Sequence, residues 1–159
     1  MMNRIFTIQS KLLEKIAEYD CDNQERDWPL EWERIHMISC AKVGHFLALK
    51  RGVDAELAAI ACSVHDYGRI VTGRQKNHAT AAYEPLKTFL AAAGKFTADE
   101  VEILAQAARV HSNKDEVGSP LEEVIKDADV LDCYQYGILP EREEQKKRLD
   151  CVLTELNIK

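Results

Sequence analysis

Residues 59–70 read AIACSVHDYGRI, and this stretch decides how the chain is read. Small and branched apolar residues follow one another from Ala55 to Val64 with no two-residue alternation, so the segment is a helix packed inward rather than a strand. Asp54 supplies a cap at its start, and Gly68 is expected to stop it at its end. The helix closes on the dipeptide His65–Asp66. A carboxylate delivered into an apolar interior is costly unless a cation or several hydrogen-bond donors meet it. Asp66 therefore needs a partner from elsewhere in the chain.

Upstream, Trp32, His36, Cys40, Val43 and Leu47 recur at spacings of three and four, which places His36 in the apolar stripe of a preceding helix. A divalent metal shared by His36, His65 and Asp66 meets the need of Asp66 directly. Downstream, Asp127, Asp129 and Asp132 lie on a helix whose apolar face is set by Leu121, Val124, Ile125, Ala128 and Leu131. At about 100° per residue, Asp127 points away from that face, Asp129 sits near its edge and Asp132 near its middle. Periodicity excludes Asp127 and slightly favours Asp132 over Asp129, without deciding between those two.

The remaining segments are also helical. Ile5, Ile8, Leu12, Leu13 and Ile16 give an amphipathic helix over residues 4–19, and Pro29 opens a second that runs to about Lys50 before Gly52. Residues 69–76 are expected to form a loop, and residues 77–93 a helix ended by Gly94. Thr97 with Glu100, and Ser119 with Glu122, are capping-box patterns that start two more helices, and Pro140 opens a last, charged one. The expectation is an all-α bundle of about seven helices, one domain over residues 1–159.

A net charge of −6 argues against broad binding to nucleic acid or to anionic lipid, while leaving room for a small anionic ligand. No apolar run approaches the ~18 residues of a membrane span. Residues 1–20 mix charge throughout, unlike a signal peptide. The five cysteines are odd in number and form no CxxC pair, as expected of reduced thiols in a cytoplasmic protein.

The order His36, then His65–Asp66, then a distal aspartate resembles the HD-domain superfamily of metal-dependent phosphohydrolases. Three stretches carry the resemblance: AIACSVHDYGRI, NHATAAYEPL (77–86) and IKDADVLD (125–132), within a motif-bearing core of about residues 30–137. The resemblance implies that Asp129, in the Ala-Asp-x-Leu element, completes the metal set of His36, His65 and Asp66. It also implies ligand positions at His78 and His111, which in two-metal relatives hold a second metal or line the phosphate pocket. Twelve residues separate Asp66 from His78, fewer than in many such relatives. His45 lies on a different helix face from His36 and reads as structural or solvent-exposed.

The loop after the dipeptide adds a cationic cluster. From Tyr67 to Tyr83 there is no Asp or Glu, yet the stretch holds Arg69, Arg74 and Lys76. Arginine offers phosphate a bidentate fork and lysine a point charge, so Arg69 and Lys76 are the expected substrate contacts. Asp66 and Arg69 are the expected catalytic pair: Asp66 as ligand and orienter of water, Arg69 as the cation that neutralises phosphate. Nitrogen and carboxylate donors without thiolate suit Mn²⁺, Fe²⁺, Co²⁺, Ni²⁺, Mg²⁺ or Zn²⁺. The resemblance implies hydrolysis of a small phosphorylated substrate, a nucleotide foremost. Two other functions use the same fold: a di-iron oxygenase, which needs His78 and His111 as ligands, and a nucleotide sensor without turnover. Trp28 and Trp32 could stack a base, but read first as core.

Overall fold

Eight helices follow one another without a strand among the described residues, 2–158, of the computed structural model. Residues 1 and 159, the two ends of the expected unit, lie outside the described residues. In chain order the helices are α1 (Arg4–Ala17), α2 (Leu30–Arg51), α3 (Ala55–Val64), α4 (Tyr67–Thr72), α5 (His78–Ala93), α6 (Ala98–Val110), α7 (Pro120–Gln135) and α8 (Glu143–Glu155). Both capping boxes form, with the Thr97 and Ser119 hydroxyls accepting from the third backbone N–H of α6 and α7. Asp54 likewise accepts from Leu57 N–H at the start of α3. Pro140 does not open the last helix, which begins three residues later with Arg142 as its cap.

The all-α expectation holds, and the helix count rises by one because the third helix breaks at His65–Asp66. Asp66 takes φ −92° and ψ 15°, outside the helical basin, and the chain resumes as α4 through residues expected to be loop. Gly68 is therefore not a stop; the stop is Gly73, with φ 71°. Gly68 instead permits a close approach. A Cβ there would strike the His78 carbonyl and come within 2.7 Å of the Ala82 nitrogen, both on α5.

Residues of all eight helices share one apolar core, from Ile8 and Leu12 of α1 to Leu149 and Val152 of α8. The long α2 packs on α3 and α7, and α5 lies against α4 and α6. This brings the middle of α2, the ends of α3 and α6, the start of α5 and the outward edge of α7 to one cavity. No helix among the described residues is long and apolar enough to cross a membrane.

Candidate metal centre

Four histidines gather at this cavity with their rings held in the same way, and three of them, His36, His78 and His111, line it. His65 and His111 cap the C-termini of α3 and α6, where each ring Nδ1 donates to a carbonyl three residues back, Cys62 at 2.6 Å and Ala108 at 2.7 Å. His78 opens α5 and donates to the Gln75 carbonyl at 2.6 Å. His36, in mid-α2, donates to Asp132 Oδ2 at 2.6 Å. Carbonyls and carboxylates only accept, so Nδ1 carries the hydrogen in each ring and Nε2 is left with its lone pair. All four rings are buried.

The four Nε2 atoms meet in two pairs. His36 and His65 approach to 3.1 Å, and His78 and His111 to 3.0 Å. Asp66 stands between the pairs. Its Oδ2 faces the first, at 3.4 Å from His36 and 3.3 Å from His65, and its Oδ1 faces the second, at 3.1 Å from His78 and 3.5 Å from His111. Asp129 adds Oδ1 to the first pair only, at 3.2 Å from His36 and 3.5 Å from His65. Two lone pairs facing each other at this distance repel unless a proton or a metal cation lies with them. The donor set therefore fits divalent metal: His36, His65, Asp66 and Asp129 for one ion, and His78, His111 and Asp66 for another.

The thiols nearby are poor donors in comparison. Cys40 and Cys133 lie within ligand reach of His36, but burial pushes both thiols far up and keeps them protonated. The two acids behave oppositely. Burial works against the charge of Asp66 and Asp129, yet Arg69 beside the first and Lys114 beside the second hold both well below the usual carboxylate range.

Outside the donors lies a second layer that the sequence reading did not assign. Asp132 is fully buried and accepts from His36, from the Ser39 hydroxyl at 2.8 Å and from the Gln135 amide. Lys114 is buried, with Nζ 2.6 Å from Asp129 Oδ2 and 3.2 Å from the Lys126 carbonyl. Its position three residues after His111 was a signal available in the sequence. Glu33 is also buried and binds Arg69 through both carboxylate oxygens, at 2.6 and 3.2 Å.

That last pairing changes the picture of Arg69. Its guanidinium is committed to Glu33, to Asp66 Oδ2 at 2.5 Å and to Gln75 at 2.9 Å. It borders the cavity but spends its fork within the protein, so its geometry is that of a brace for Asp66 rather than of a free phosphate grip. Lys76 is exposed and is not among the residues lining the cavity. The cations that do line it, besides Arg69, are Lys114, Arg109 and Arg142. Arg109 is exposed, lies over the Tyr83 ring at 5.0 Å and has no carboxylate in ion-pair range among the described residues. Asp127 points away as periodicity required, and pairs with Arg51 and Arg148. His45 takes no part in the cluster: its Nδ1 is 3.2 Å from the Ala55 carbonyl and its ring meets Phe46 edge-on at 5.6 Å.

The cavity measures about 650 Å³. Trp28 and Trp32 line it, with Arg109, Asn113 and Arg142 among its polar lining residues. Both indoles are half-buried, which corrects their reading as core.

The model of the HD domain matches residues 34–134, well over half of the chain. The chain belongs to the HD domain family, whose superfamily is one of metal-dependent phosphohydrolases that bind divalent metals. No curated protein and no solved structure gives a significant match. All six residues of the donor set fall inside the matched stretch, whereas Trp28, Trp32 and Glu33 precede it.

Proposed function

We propose that the protein hydrolyses a small phosphate ester or anhydride of the nucleotide class, using divalent metal held by His36, His65, Asp66 and Asp129, with a second ion at His78, His111 and Asp66. The observation that carries this reading is the convergence of four Nε2 lone pairs on the two oxygens of one buried aspartate. A divalent cation at such donors supplies a Lewis acid that acidifies water and polarises a phosphoryl oxygen. The protein's own groups do the rest. Asp132 fixes the tautomer and orientation of His36. Arg69, itself held by Glu33, orients Asp66 and balances its charge. Lys114 neutralises Asp129 and presents its positive charge to the cavity where negative charge grows on the phosphoryl oxygens. Arg109, without a carboxylate partner among the described residues, is the residue suited to bidentate capture of a substrate phosphate in the cavity.

The five cysteines are all free thiols, which suits a reducing, cytoplasmic setting. The test is metal analysis of the purified protein followed by a phosphate-release screen over nucleotides and simple phosphomonoesters with Mn²⁺, Co²⁺ and Mg²⁺. Release that depends on added metal and vanishes in Asp66→Ala is expected; no release from any substrate at full metal occupancy would defeat the reading. The second trio of donors also suits a di-iron oxygenase. Two irons per chain with oxygen consumption, and no phosphate release, would favour that reading instead.

A further inference from the structure

We infer that Trp28 and Trp32 form a stacking subsite for the base of the nucleotide whose phosphate reaches the metal centre, a reading that rests on the proposed hydrolysis of a nucleotide. Both residues lie before the stretch matched by the family model, residues 34–134. They are the only two tryptophans in the sequence, and both line the cavity that holds the histidines.

The placement is built up residue by residue. Trp32 sits one helical turn before His36, and its ring stacks on that imidazole at 4.9 Å with 14° between planes. Tyr136, from the end of α7, braces Trp32 edge-on at 5.4 Å and 86°. Trp28 lies just before Pro29, which restricts it to an extended backbone, and its ring is 5.8 Å from that of Trp32. The Arg69 guanidinium lies 5.8 Å from the Trp28 ring centre. Arg69 is in turn fixed by Glu33 and Asp66, so the indole wall is tied to the bridging carboxylate through one buried cation.

A wall held in this way is pre-organised, and little freedom is lost when a flat ligand settles on it. Partly exposed indoles in a cavity lined by many charged residues leave apolar surface in water that a stacked base would cover. The same cavity carries Arg109 and Asn113, which suit phosphate and sugar rather than an apolar partner. Stacking uses the π-face that every base has, so it separates nucleotides from sugar phosphates while discriminating weakly among bases.

Because no other tryptophan exists in the chain, fluorescence excited selectively at tryptophan, beyond the absorption of the five tyrosines, reports on these two indoles. Metal-loaded full-length protein is titrated with a purine nucleoside 5′-monophosphate, a pyrimidine nucleoside 5′-monophosphate and ribose 5-phosphate. Both nucleotides are expected to quench the signal and bind with similar affinity, and ribose 5-phosphate to bind more weakly by about ten- to a hundredfold. Trp28→Ala should narrow that gap in Kd, and narrow the matching ratio of kcat/KM, while Trp28→Phe restores most of it. Equal affinity for ribose 5-phosphate and the nucleotides in the wild type overturns the proposal, as does an unchanged ratio in Trp28→Ala. If no phosphate is released from any substrate, the hydrolase reading fails, and the fluorescence affinities still decide whether the wall is a base subsite.

Discussion

The two halves of the histidine cluster use the same ligand chemistry and differ in charge. The half built from α2, α3 and α7 pairs two imidazoles with two carboxylates, Asp66 and Asp129, and backs His36 with a third, Asp132. The half built from α5 and α6 pairs two imidazoles with the single remaining oxygen of Asp66, and both rings are backed by main-chain carbonyls. The proton already senses this difference. Burial opposes the charging of His65, yet Asp66 and Asp129 outweigh it and push that histidine well above its ordinary value. At His111 burial wins over the shared Asp66, and the ring is pushed down to about 4. On the proposed reading a divalent cation responds to the same potential more strongly than a proton does, so the first half is expected to be the tighter seat and to fill first.

Loss of the bridge should break the comparison altogether. Asp66→Ala removes the one carboxylate common to both halves, so metal analysis should find neither ion and phosphate release should disappear. The effect should exceed the ten- to hundredfold typical of residues outside the ligand shell. Metal retained at wild-type level in that variant would mean that the bridge is not a ligand. His111→Ala should halve the bound metal and leave the first half loaded; loss of both ions, or of neither, would contradict the division into two seats.

Asp132→Asn tests the backing of His36. The amide can still accept from Nδ1 but no longer carries charge, and metal affinity measured by chelator competition should fall by about ten- to a hundredfold, with the second half unaffected. The smallest effect belongs to a residue outside both halves. Asp127→Ala should leave most of the activity in place and cost about 1 kcal/mol of unfolding free energy through its lost pairs with Arg51 and Arg148, read from urea denaturation.

The three aspartates of α7 also show where sequence reading reaches its limit. Periodicity ranked them by direction and was right about Asp132, which keeps none of its side chain exposed; Asp127, covered by its arginines, keeps 13% and Asp129 16%, so those two do not differ in burial as their directions suggest. Burial and ligation are different properties, however. A residue at the centre of the apolar face ends up behind His36, whereas one at the edge reaches the open cavity. Helix starts were legible because a cap is satisfied within three residues, as at Thr97 and Ser119. Partners such as Glu33 with Arg69, 36 residues apart, or His36 with Asp132, 96 apart, leave no local trace. Arg69 and Lys76 looked alike as cations in one stretch, and only the folded chain separates the buried brace from the solvated side chain.

The absent side chain at Gly68 has a consequence of its own. His78 rides on the first residue of α5, and the backbone of that residue lies where a methyl group at position 68 would have to go. The clearance between two helices thus acts as a gauge block for the distance between the two pairs of imidazoles. Filling it would remove no donor side chain and no charge. It is expected to wedge α5 outward and draw His78 away from His111 and Asp66, leaving the pair His36 and His65 in place. The short stretch of chain between Asp66 and His78 brings both pairs of imidazoles to one carboxylate because one residue within it takes up no space.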